Sequence, residues 1–424
     1  MHRRIFLALA AASLASRGVA EAPPVAVPAP PPPLQPSDLL GAVGDPAFLA
    51  WLNGFYAREL AQGWSTTVLA QTLTGLAPDP RVLVRNASQP EFSRPISDYV
   101  ARNVTPGVVS LGRAKRDGVA DFARIVETYG VPADVLTAIW AMESSFGSYQ
   151  GDMDVVRSLA TMAAEDPRRK EWAETELEAC IKIVGSGAAA RGQLKGSWAG
   201  AMGQTQMEPS TFLTTAVSAS GTGKPDIWNS SADALASAAN LLLKAGWRRG
   251  QTWAREVLLA RNFDVGLSEG PKQPPPWWAD KGVSRADGRP WSPEDATAEA
   301  QLILPAGASG PAFLIFPNHF VIRTYNNSLA YALSVGLLAD ALGGRSALAT
   351  PWPKEVPLSL EDRMASQAAL ARLGYNPSSP DGFIGLATRQ ALRAWQRDQQ
   401  LPPDGYLTPA LVARLKAATK GGVT

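Results

Sequence analysis

The sequence predicts a mainly α-helical fold with a small β element, followed by a separate small domain of three helices. From about Leu39 to Gly344, apolar residues recur at spacings of three and four, the period of helices that bury one face. Two short β-type segments, Ala300–Leu304 and Ala312–Ile315, interrupt that pattern. Beyond Thr350-Pro351-Trp352-Pro353 a helix–turn–helix–turn–helix pattern begins, so we expect a domain boundary there.

Caps and stops predict the individual helices. Asp45-Pro46 has the form of an N-cap followed by proline at the first helical position, and opens a helix through Leu60. The proline- and glycine-rich residues 271–293 are expected to form a loop. The other predicted helices of the large domain are Val119–Tyr129, a helix that begins at Pro132, Ser231–Lys244 and Ser328–Leu342.

In the C-terminal segment, Leu358–Leu415, the pairs Asp381-Gly382 and Asp404-Gly405 predict turns. Thr388 and Thr408 follow these turns and are predicted to cap the second and third helices.

The N-terminus has the pattern of an export signal. Arg3 and Arg4 precede a short apolar run, Ile5–Ala15, and small residues follow it at Gly18–Ala20. The two arginines leave an ordinary secretory signal and a twin-arginine signal equally open. Eight prolines between Pro23 and Pro36 then predict an extended tether. We expect no transmembrane segment once the signal is removed.

Composition excludes several classes of protein. The net charge is +2 over 424 residues, and the loss of Arg3, Arg4 and Arg17 with the signal changes it to −1, which argues against a nucleic-acid binder. Cys180 is the only cysteine, so no internal disulfide can form. Histidines occur only at positions 2 and 319, too few for a histidine-rich zinc site. The chemistry must therefore use carboxylates, hydroxyls and amides.

Glu143 is the candidate catalytic group. It continues the apolar stripe of Val135 and Ile139 at spacings of four, near the end of the helix that begins at Pro132. Desolvation and the negative end of the helix dipole both disfavour its ionised form, and a neutral carboxyl group can donate a proton to a leaving oxygen. On periodicity alone, a glutamate that merely ends a helix at its solvated edge remains the other interpretation.

A family resemblance rests on five segments in order. Glu143-Ser144-Ser145-Phe146-Gly147 resembles the Glu-Ser-x-x-Gly signature of lysozyme-like lytic transglycosylases. The other segments are similar to those of the membrane-bound lytic transglycosylase B family over roughly residues 40–342. They are Gln89–Phe92, Gly196–Gln206, Asp226–Asn229 with Gly246-Trp247, and Phe320–Ser328.

The resemblance implies a lysozyme-like helical domain that cleaves the MurNAc–GlcNAc β-1,4 bond of peptidoglycan without water. In this chemistry Glu143 acts first as acid and then as base, and the C6 hydroxyl of MurNAc attacks C1 to give a 1,6-anhydro end. An intramolecular nucleophile needs no second carboxylate to activate water. The resemblance also implies that Ser197, Gln206, Tyr325 and Asn326 contact the sugar, and that no cofactor is used.

Some positions depart from the family pattern. Glu208 stands where an apolar residue is frequent; we expect a solvated acid at a helix start, and a second carboxylate in the cleft is the alternative. Leu241 and Leu242 follow Asn240 where some members carry a tyrosine. Asp152 and Asp154 lack the rest of a calcium loop, so no metal is expected. For Trp277, Trp278 and Trp291, core or loop packing is expected ahead of sugar stacking.

The C-terminal segment resembles the peptidoglycan-binding domain type 1, which implies that it raises the local concentration of substrate. The expected organisation is a signal peptide (1–20), a Pro-rich linker (21–38), a lytic transglycosylase domain (39–346), a linker (347–357) and a peptidoglycan-binding domain (358–418). The expected partner is the peptidoglycan glycan strand in the periplasm; protein partners stay unknown. A hydrolytic muramidase on the same fold and a non-catalytic wall-binding scaffold are the rival hypotheses.

Overall fold

A computed structural model describes residues 45–87 and 94–420 of the chain. The predicted signal, the Pro-rich linker and the segment Gln89–Phe92 lie outside the described residues. The large domain contains fifteen helices within these ranges: α1 Pro46–Ala61, α2 Thr66–Leu73, α3 Pro80–Ala87, α4 Ile96–Asn103, α5 Pro106–Asp117, α6 Phe122–Tyr129, α7 Ala133–Ser144, α8 Val155–Glu165, α9 Lys170–Gly185, α10 Pro209–Thr215, α11 Ser231–Lys244, α12 Pro275–Ala279, α13 Pro293–Ala296, α14 Pro317–Ile322 and α15 Leu329–Leu342.

The described strands form two antiparallel sheets. A two-stranded pair joins β1 Met153–Asp154 to β2 Lys195–Gly196. A five-stranded sheet has the order β4–β6–β7–β3–β5. Its strands are β3 Ala254–Leu259, β4 Lys272–Gln273, β5 Val283–Arg285, β6 Ala300–Ile303 and β7 Ala312–Ile315. The prediction of a mainly helical fold with a small β element is confirmed.

Helix α15 lies at the centre of the large domain. It is buried on almost every side, as an apolar helix without a polar face must be. Gly336 allows close packing, since a Cβ there would lie 2.3 Å from the ring of Trp253. The helix packs along α7, and so fixes the helix that carries Glu143.

Several local predictions are confirmed. Asp45 caps α1, because its Oδ1 accepts hydrogen bonds of 3.0 Å from the backbone N–H groups of Ala47 and Phe48. Helix α11 has the predicted bounds, and α15 begins directly after its cap, Ser328. Helix α6 begins three residues later than predicted, since Asp121 at its N-cap has φ +59°.

The prediction of an irregular loop over residues 271–293 is wrong. This segment contains β4, α12 and β5. The reason is Trp278, which is fully buried and donates its indole N–H to the carbonyl oxygens of Gln273 and Ala300, 3.0 Å from each. Burial of one large aromatic side chain therefore attaches the segment to the sheet.

The C-terminal domain consists of α16 Leu360–Arg372, α17 Leu386–Asp398 and α18 Pro409–Lys420, packed around their own core. Thr408 caps α18 as predicted, with its hydroxyl accepting from the N–H of Leu411. The prediction that Thr388 caps α17 is wrong, because Gly385 holds the cap position. The Thr388 hydroxyl instead donates to the carbonyl oxygen of Pro377, 2.7 Å away, inside the domain.

An ion cluster joins the C-terminal domain to the five-stranded sheet. The Glu269 carboxylate lies 2.6 Å from guanidinium nitrogens of both Arg389 and Arg393. Burial alone would raise the pKa of Glu269, but the hydrogen bonds and positive charges of the two arginines outweigh it and lower that pKa. The cluster thus fixes the C-terminal domain against the large domain.

Candidate active site

Glu143 lies one residue before the end of α7 and is partly exposed, while Val135 and Ile139 on the same helix face are buried. The apolar stripe therefore anchors the helix, and its last turn carries the carboxyl group to the surface of a cleft.

The residues after α7 explain the spacing of the Glu-Ser-x-x-Gly signature. Ser145, Phe146 and Gly147 all have positive φ, so the chain reverses at once. The Ser144 hydroxyl accepts a hydrogen bond of 2.8 Å from the Gly147 N–H and donates to the carbonyl oxygen of Gln204. A Cβ at Gly147 would lie 2.6 Å from Gln204 Oε1, so glycine is required both for φ and for space.

The glycine-rich segment after β2 forms one wall of the cleft. A Cβ at Gly196 would lie 2.0 Å from the carbonyl oxygen of Ala201, so only glycine lets the loop close on itself. Backbone hydrogen bonds of 2.8 Å join Met202 and Met207 in both directions and hold the following turn. This turn projects Gln206, which has φ +49°, into the cleft.

The cleft has a volume of about 290 Å³. It is lined by Tyr99, Met142, Glu143, Ala201, Gln206, Met207, Glu208, Thr211, Leu241, Thr324, Tyr325, Asn326 and Tyr331. Four of the five residues singled out from the sequence thus meet in one place, although they lie as much as 183 positions apart in the chain.

Gln206 presents an acceptor to the cleft. Its amide nitrogen donates to the carbonyl oxygens of Gln150 and Gly203, each 2.9 Å away. Both amide hydrogens are therefore used, and the orientation of the side chain is fixed. No hydrogen bond from the described residues occupies Oε1, so this oxygen can accept one from a ligand.

Tyr325 and Asn326 follow α14 and form the opposite wall. The Tyr325 ring is partly exposed, but its hydroxyl oxygen is buried, and burial together with the Glu143 charge raises the pKa of this phenol. The Asn326 Oδ1 accepts from the Ser328 N–H, 3.1 Å away, which leaves the amide nitrogen as the group of this side chain suited to donate to a ligand.

Tyr331, on α15, donates its hydroxyl hydrogen to Glu143 Oε1. The tyrosine is almost fully buried, and burial with the Glu143 charge raises its pKa well above the ordinary value. It therefore remains a protonated donor to the carboxyl group. No sequence pattern pointed to Tyr331. The available signal was a phenol within a largely apolar helix, since a buried tyrosine hydroxyl needs a partner.

Ser197 does not line the cleft. Its hydroxyl accepts hydrogen bonds from the N–H groups of Ala199 and Ala201, at 3.2 and 3.1 Å, and its own N–H donates to the Ala201 carbonyl oxygen. These contacts close the loop that carries Ala201 into the cleft. In this structure the Ser197 hydroxyl therefore holds the loop rather than lining the cleft.

Glu208 lines the same cleft as Glu143. It occupies the N-cap position of α10, but its side chain makes no capping hydrogen bond. Burial, with the nearby charge of Glu176, raises the pKa of Glu208, while Arg169 opposes that shift. Glu208 thus stands at a helix start as expected, but its carboxyl group is partly desolvated within the cleft rather than solvated.

The remaining sequence candidates are also located. Leu241 lines the cleft at the position where a tyrosine was considered. Trp278 is fully buried, and Trp277 and Trp291 pack against the same core cluster beside the sheet, away from Glu143. Asp154 is paired with Arg191 at 2.8 Å. Among the described residues no group of three or more His, Cys, Asp or Glu is placed to hold a metal ion.

A second, larger cavity of about 630 Å³ lies between the five-stranded sheet and the C-terminal domain. Glu269, Arg323, Phe383 and Leu386 are among the residues that line it. It does not contain Glu143. Of its two lining carboxylates, Glu269 is neutralised by two arginines, and Glu355 accepts a hydrogen bond from the Tyr406 hydroxyl. The smaller cleft is therefore the candidate active site.

Comparison with known families agrees with this fold and cleft. Residues 47–340 match the transglycosylase SLT domain family, and the chain belongs to that family. Residues 359–415 match a peptidoglycan binding domain family. The resemblance read from the sequence motifs is thereby confirmed.

Particular relatives support the same assignment. The chain is 31% identical over 246 residues to membrane-bound lytic murein transglycosylase B of Escherichia coli (strain K12), covering 58% of this chain and 66% of that protein. It is 43% identical to SltB3 from Pseudomonas aeruginosa, crystallised with NAG-anhNAM-pentapeptide, with a TM-score of 0.83 over 88% of this chain and 100% of the other. The Escherichia coli lytic transglycosylase Slt35 in complex with calcium is 26% identical, with a TM-score of 0.60 over 71% of this chain and 93% of that one.

Proposed function

We propose that this protein is a peptidoglycan lytic transglycosylase that cleaves the MurNAc–GlcNAc β-1,4 bond and leaves 1,6-anhydroMurNAc ends. The observation that carries the proposal is Glu143, a partly exposed carboxyl group at the end of a buried helix, held by the buried Tyr331 hydroxyl inside a polar cleft. Membership of the transglycosylase SLT domain family and the named relatives support it.

The proposed reaction uses Glu143 twice. The protonated carboxyl group donates its proton to the glycosidic oxygen as the bond from that oxygen to C1 of MurNAc breaks. The resulting carboxylate then removes the proton from the C6 hydroxyl, whose oxygen bonds to C1. The proton thus returns to Glu143, no water is consumed, and the ring closes because the nucleophile is already part of the substrate.

Neighbouring groups orient the carboxyl group and the sugar. The Tyr331 hydroxyl donates to Glu143 Oε1 and so orients that side chain. The free Oε1 of Gln206 and the amide nitrogen of Asn326 face the cleft as an acceptor and a donor, the pair of groups that an N-acetyl substituent requires. Neutral hydrogen-bonding groups of this kind suit an uncharged sugar.

Glu208 supports a second candidate function. A two-carboxylate glycosidase uses the second group as a base or nucleophile, and Glu208 is the other carboxyl group that lines the cleft in the described part of the chain. A hydrolytic muramidase on the same fold is therefore the alternative. The single-carboxylate reaction is preferred because the Glu-Ser-x-x-Gly resemblance and the Tyr331 contact both involve Glu143.

The products of digested peptidoglycan sacculi distinguish these reactions. Mass spectrometry of the released fragments is expected to find anhydro ends with the wild type and none with Glu143→Gln. Glu208→Gln is expected to retain anhydro products, and Glu127→Gln, an exposed glutamate on α6, is the matched control. Reducing MurNAc ends that disappear in Glu208→Gln would instead establish the hydrolase. Sugar release by Glu143→Gln at the wild-type rate would exclude Glu143 as the catalytic group.

We further propose that the C-terminal domain binds peptidoglycan and that the protein acts in the periplasm after export. The match of residues 359–415 supports the first statement. Within residues 45–87 and 94–420 no helix is long and apolar enough to cross a bilayer. A chain that ends near residue 350 is expected to sediment less with sacculi than the full chain, and equal sedimentation would contradict the binding role. Cell fractionation with mass determination of the mature N-terminus tests export.

A further inference from the structure

Helix α4 carries Tyr99 to the candidate active site but has no side-chain cap of its own. Tyr99 lines the cleft together with Glu143. The helix begins after Pro95, whose side chain has no oxygen that could accept from the N–H groups of the first turn. With only eight residues, α4 depends on contacts outside itself, and it packs along α15. The position of Tyr99 therefore depends on what holds the start of this helix.

A carboxylate from the segment between the two domains supplies the missing cap. Glu355 Oε2 accepts a hydrogen bond of 3.2 Å from the Ser97 N–H, although the two residues are 258 positions apart in the chain. A carboxylate at a helix N-terminus satisfies a backbone donor and interacts favourably with the helix dipole. Because Glu355 is partly buried beside α4, water and salt screen this contact only in part.

The other oxygen of the same carboxylate contacts the C-terminal domain. Tyr406 donates its hydroxyl hydrogen to Glu355 Oε1. Burial and this hydrogen bond raise the pKa of Tyr406, so the phenol stays a donor. The turn that precedes Tyr406 is fixed on the large domain, since Asp404 Oδ2 accepts from the Ala308 N–H, 3.0 Å away. Glu355 thus joins the C-terminal domain to the first turn of α4.

The linker reaches α4 along a fixed path. Ala349 and Thr350 donate their backbone N–H groups to the Glu256 carboxylate, 2.7 Å away in each case. Trp352 packs against Phe313, with ring centres 6.5 Å apart. These contacts with the five-stranded sheet limit the motion of the linker just before it reaches the start of α4.

We infer that Glu355 is a positioning residue, through which the docked C-terminal domain orders the first turn of α4 and holds Tyr99 in the cleft. The C-terminal domain then contributes to turnover even of a glycan too short to need a separate wall-binding site. The activity part of this inference rests on the proposed function, whereas the order of α4 is measurable without turnover.

Hydrogen–deuterium exchange of the full chain measures the order of α4. Glu355→Ala is expected to speed exchange of the amides of residues 97–100 by roughly tenfold, because the helix loses its cap. Glu355→Gln keeps an oxygen that can accept from the Ser97 N–H and is expected to recover most of the protection. Glu361→Ala, which removes an exposed glutamate of the C-terminal domain, is the matched control and should change nothing. The amides of α17 beside Glu269 should stay protected in Glu355→Ala, which shows that the domain remains docked.

Turnover of a short soluble glycan fragment, for which wall binding does not matter, tests the link to Tyr99. Glu355→Ala is expected to lower kcat/KM for release of anhydro ends by roughly fivefold. In a chain that already carries Tyr99→Ala, the same substitution should lower kcat/KM by less than about twofold, because Glu355 acts through α4. Unchanged exchange or unchanged kcat/KM in Glu355→Ala would overturn the inference, as would equal losses in both backgrounds or faster exchange in α17. Absence of anhydro ends from the wild type would instead refute the proposed function and leave exchange to decide the role of Glu355.

Discussion

Tyr331→Phe tests the role of the tyrosine that contacts Glu143. The substitution removes one oxygen atom and leaves the ring, which is 3% exposed and packed in α15, in place. No cavity is created, so the fold should be retained. What is lost is the hydrogen bond to Glu143 Oε1.

A hydrogen bond to a charged group contributes about 1.5–3 kcal/mol. If the carboxylate needs this contact to keep its position, that range corresponds to a fall in kcat of roughly 10- to 150-fold. KM should change little, because Tyr331 is proposed to hold Glu143 rather than the sugar. Burial and the Glu143 charge raise the Tyr331 pKa, so the phenol stays protonated below about pH 10. Tyr331→Phe should therefore remove no ionisation from the pH dependence of kcat in that range.

The assay is the rate of anhydro-fragment release from sacculi, followed by mass spectrometry, together with thermal unfolding of each variant. Tyr56→Phe is the matched control. Tyr56 is also a buried tyrosine of the large domain, but its hydroxyl has no hydrogen-bond partner among the described residues. Its loss should leave both rate and fold unchanged.

The positioning role of Tyr331 would be refuted by a correctly folded Tyr331→Phe variant with kcat within about threefold of the wild type. It would equally be refuted by a rise in KM with unchanged kcat, because that result would assign the hydroxyl to ground-state binding of the sugar.

Three further predictions follow from other contacts. Burial and the adjacent negative charge of Glu176 raise the pKa of Glu208, so the stability that its protonated form contributes is complete at low pH and is lost as pH rises through that pKa. In thermal scans Glu208→Gln should therefore melt at a higher temperature than the wild type at pH 7. Below about pH 4 the two proteins should melt at the same temperature. Glu269→Ala leaves Arg389 and Arg393 without their carboxylate partner between the domains and should weaken domain docking by about 3 kcal/mol. The expected result is faster proteolysis between the domains. The control, Asp362→Ala, removes a partly exposed ion pair with Lys416 and should change the proteolysis rate little. Gly147→Ala places a Cβ 2.6 Å from Gln204 Oε1 at φ +78° and should cost about 1–3 kcal/mol of stability in chemical unfolding, with loss of turnover.

Local patterns predicted much of the fold. The Asp45 cap, the full extent of α11 and the two strands Ala300–Ile303 and Ala312–Ile315 each depend on residues close in sequence, and each is observed. The errors have long-range causes. The burial of Trp278 converts an expected loop into part of the sheet, because its indole bonds to Ala300, 22 residues away.

The same division applies to the candidate site. Glu143 is recognisable because an apolar stripe and the Glu-Ser-x-x-Gly spacing are local, and the signature has a local cause in the Ser144 and Gly147 contacts. The positions of Gln206, Tyr325 and Asn326 in the cleft were expected from the resemblance to a family. Tyr331 was not expected, because no short-range pattern links a phenol to a carboxylate 188 residues away.

By itself the sequence determined the helical class, the family, the lack of an internal disulfide and the choice of Glu143 as the candidate acid. These depend on composition, on period and on short motifs. Only the tertiary structure decided which side chains share the cleft with Glu143: it brought in Tyr331 and Glu208 and left Ser197 out of the cleft lining. The physical reason is that hydrogen bonding and desolvation act between atoms that are close in space, and α15 and the loop after β2 come close to α7 only when the core is packed.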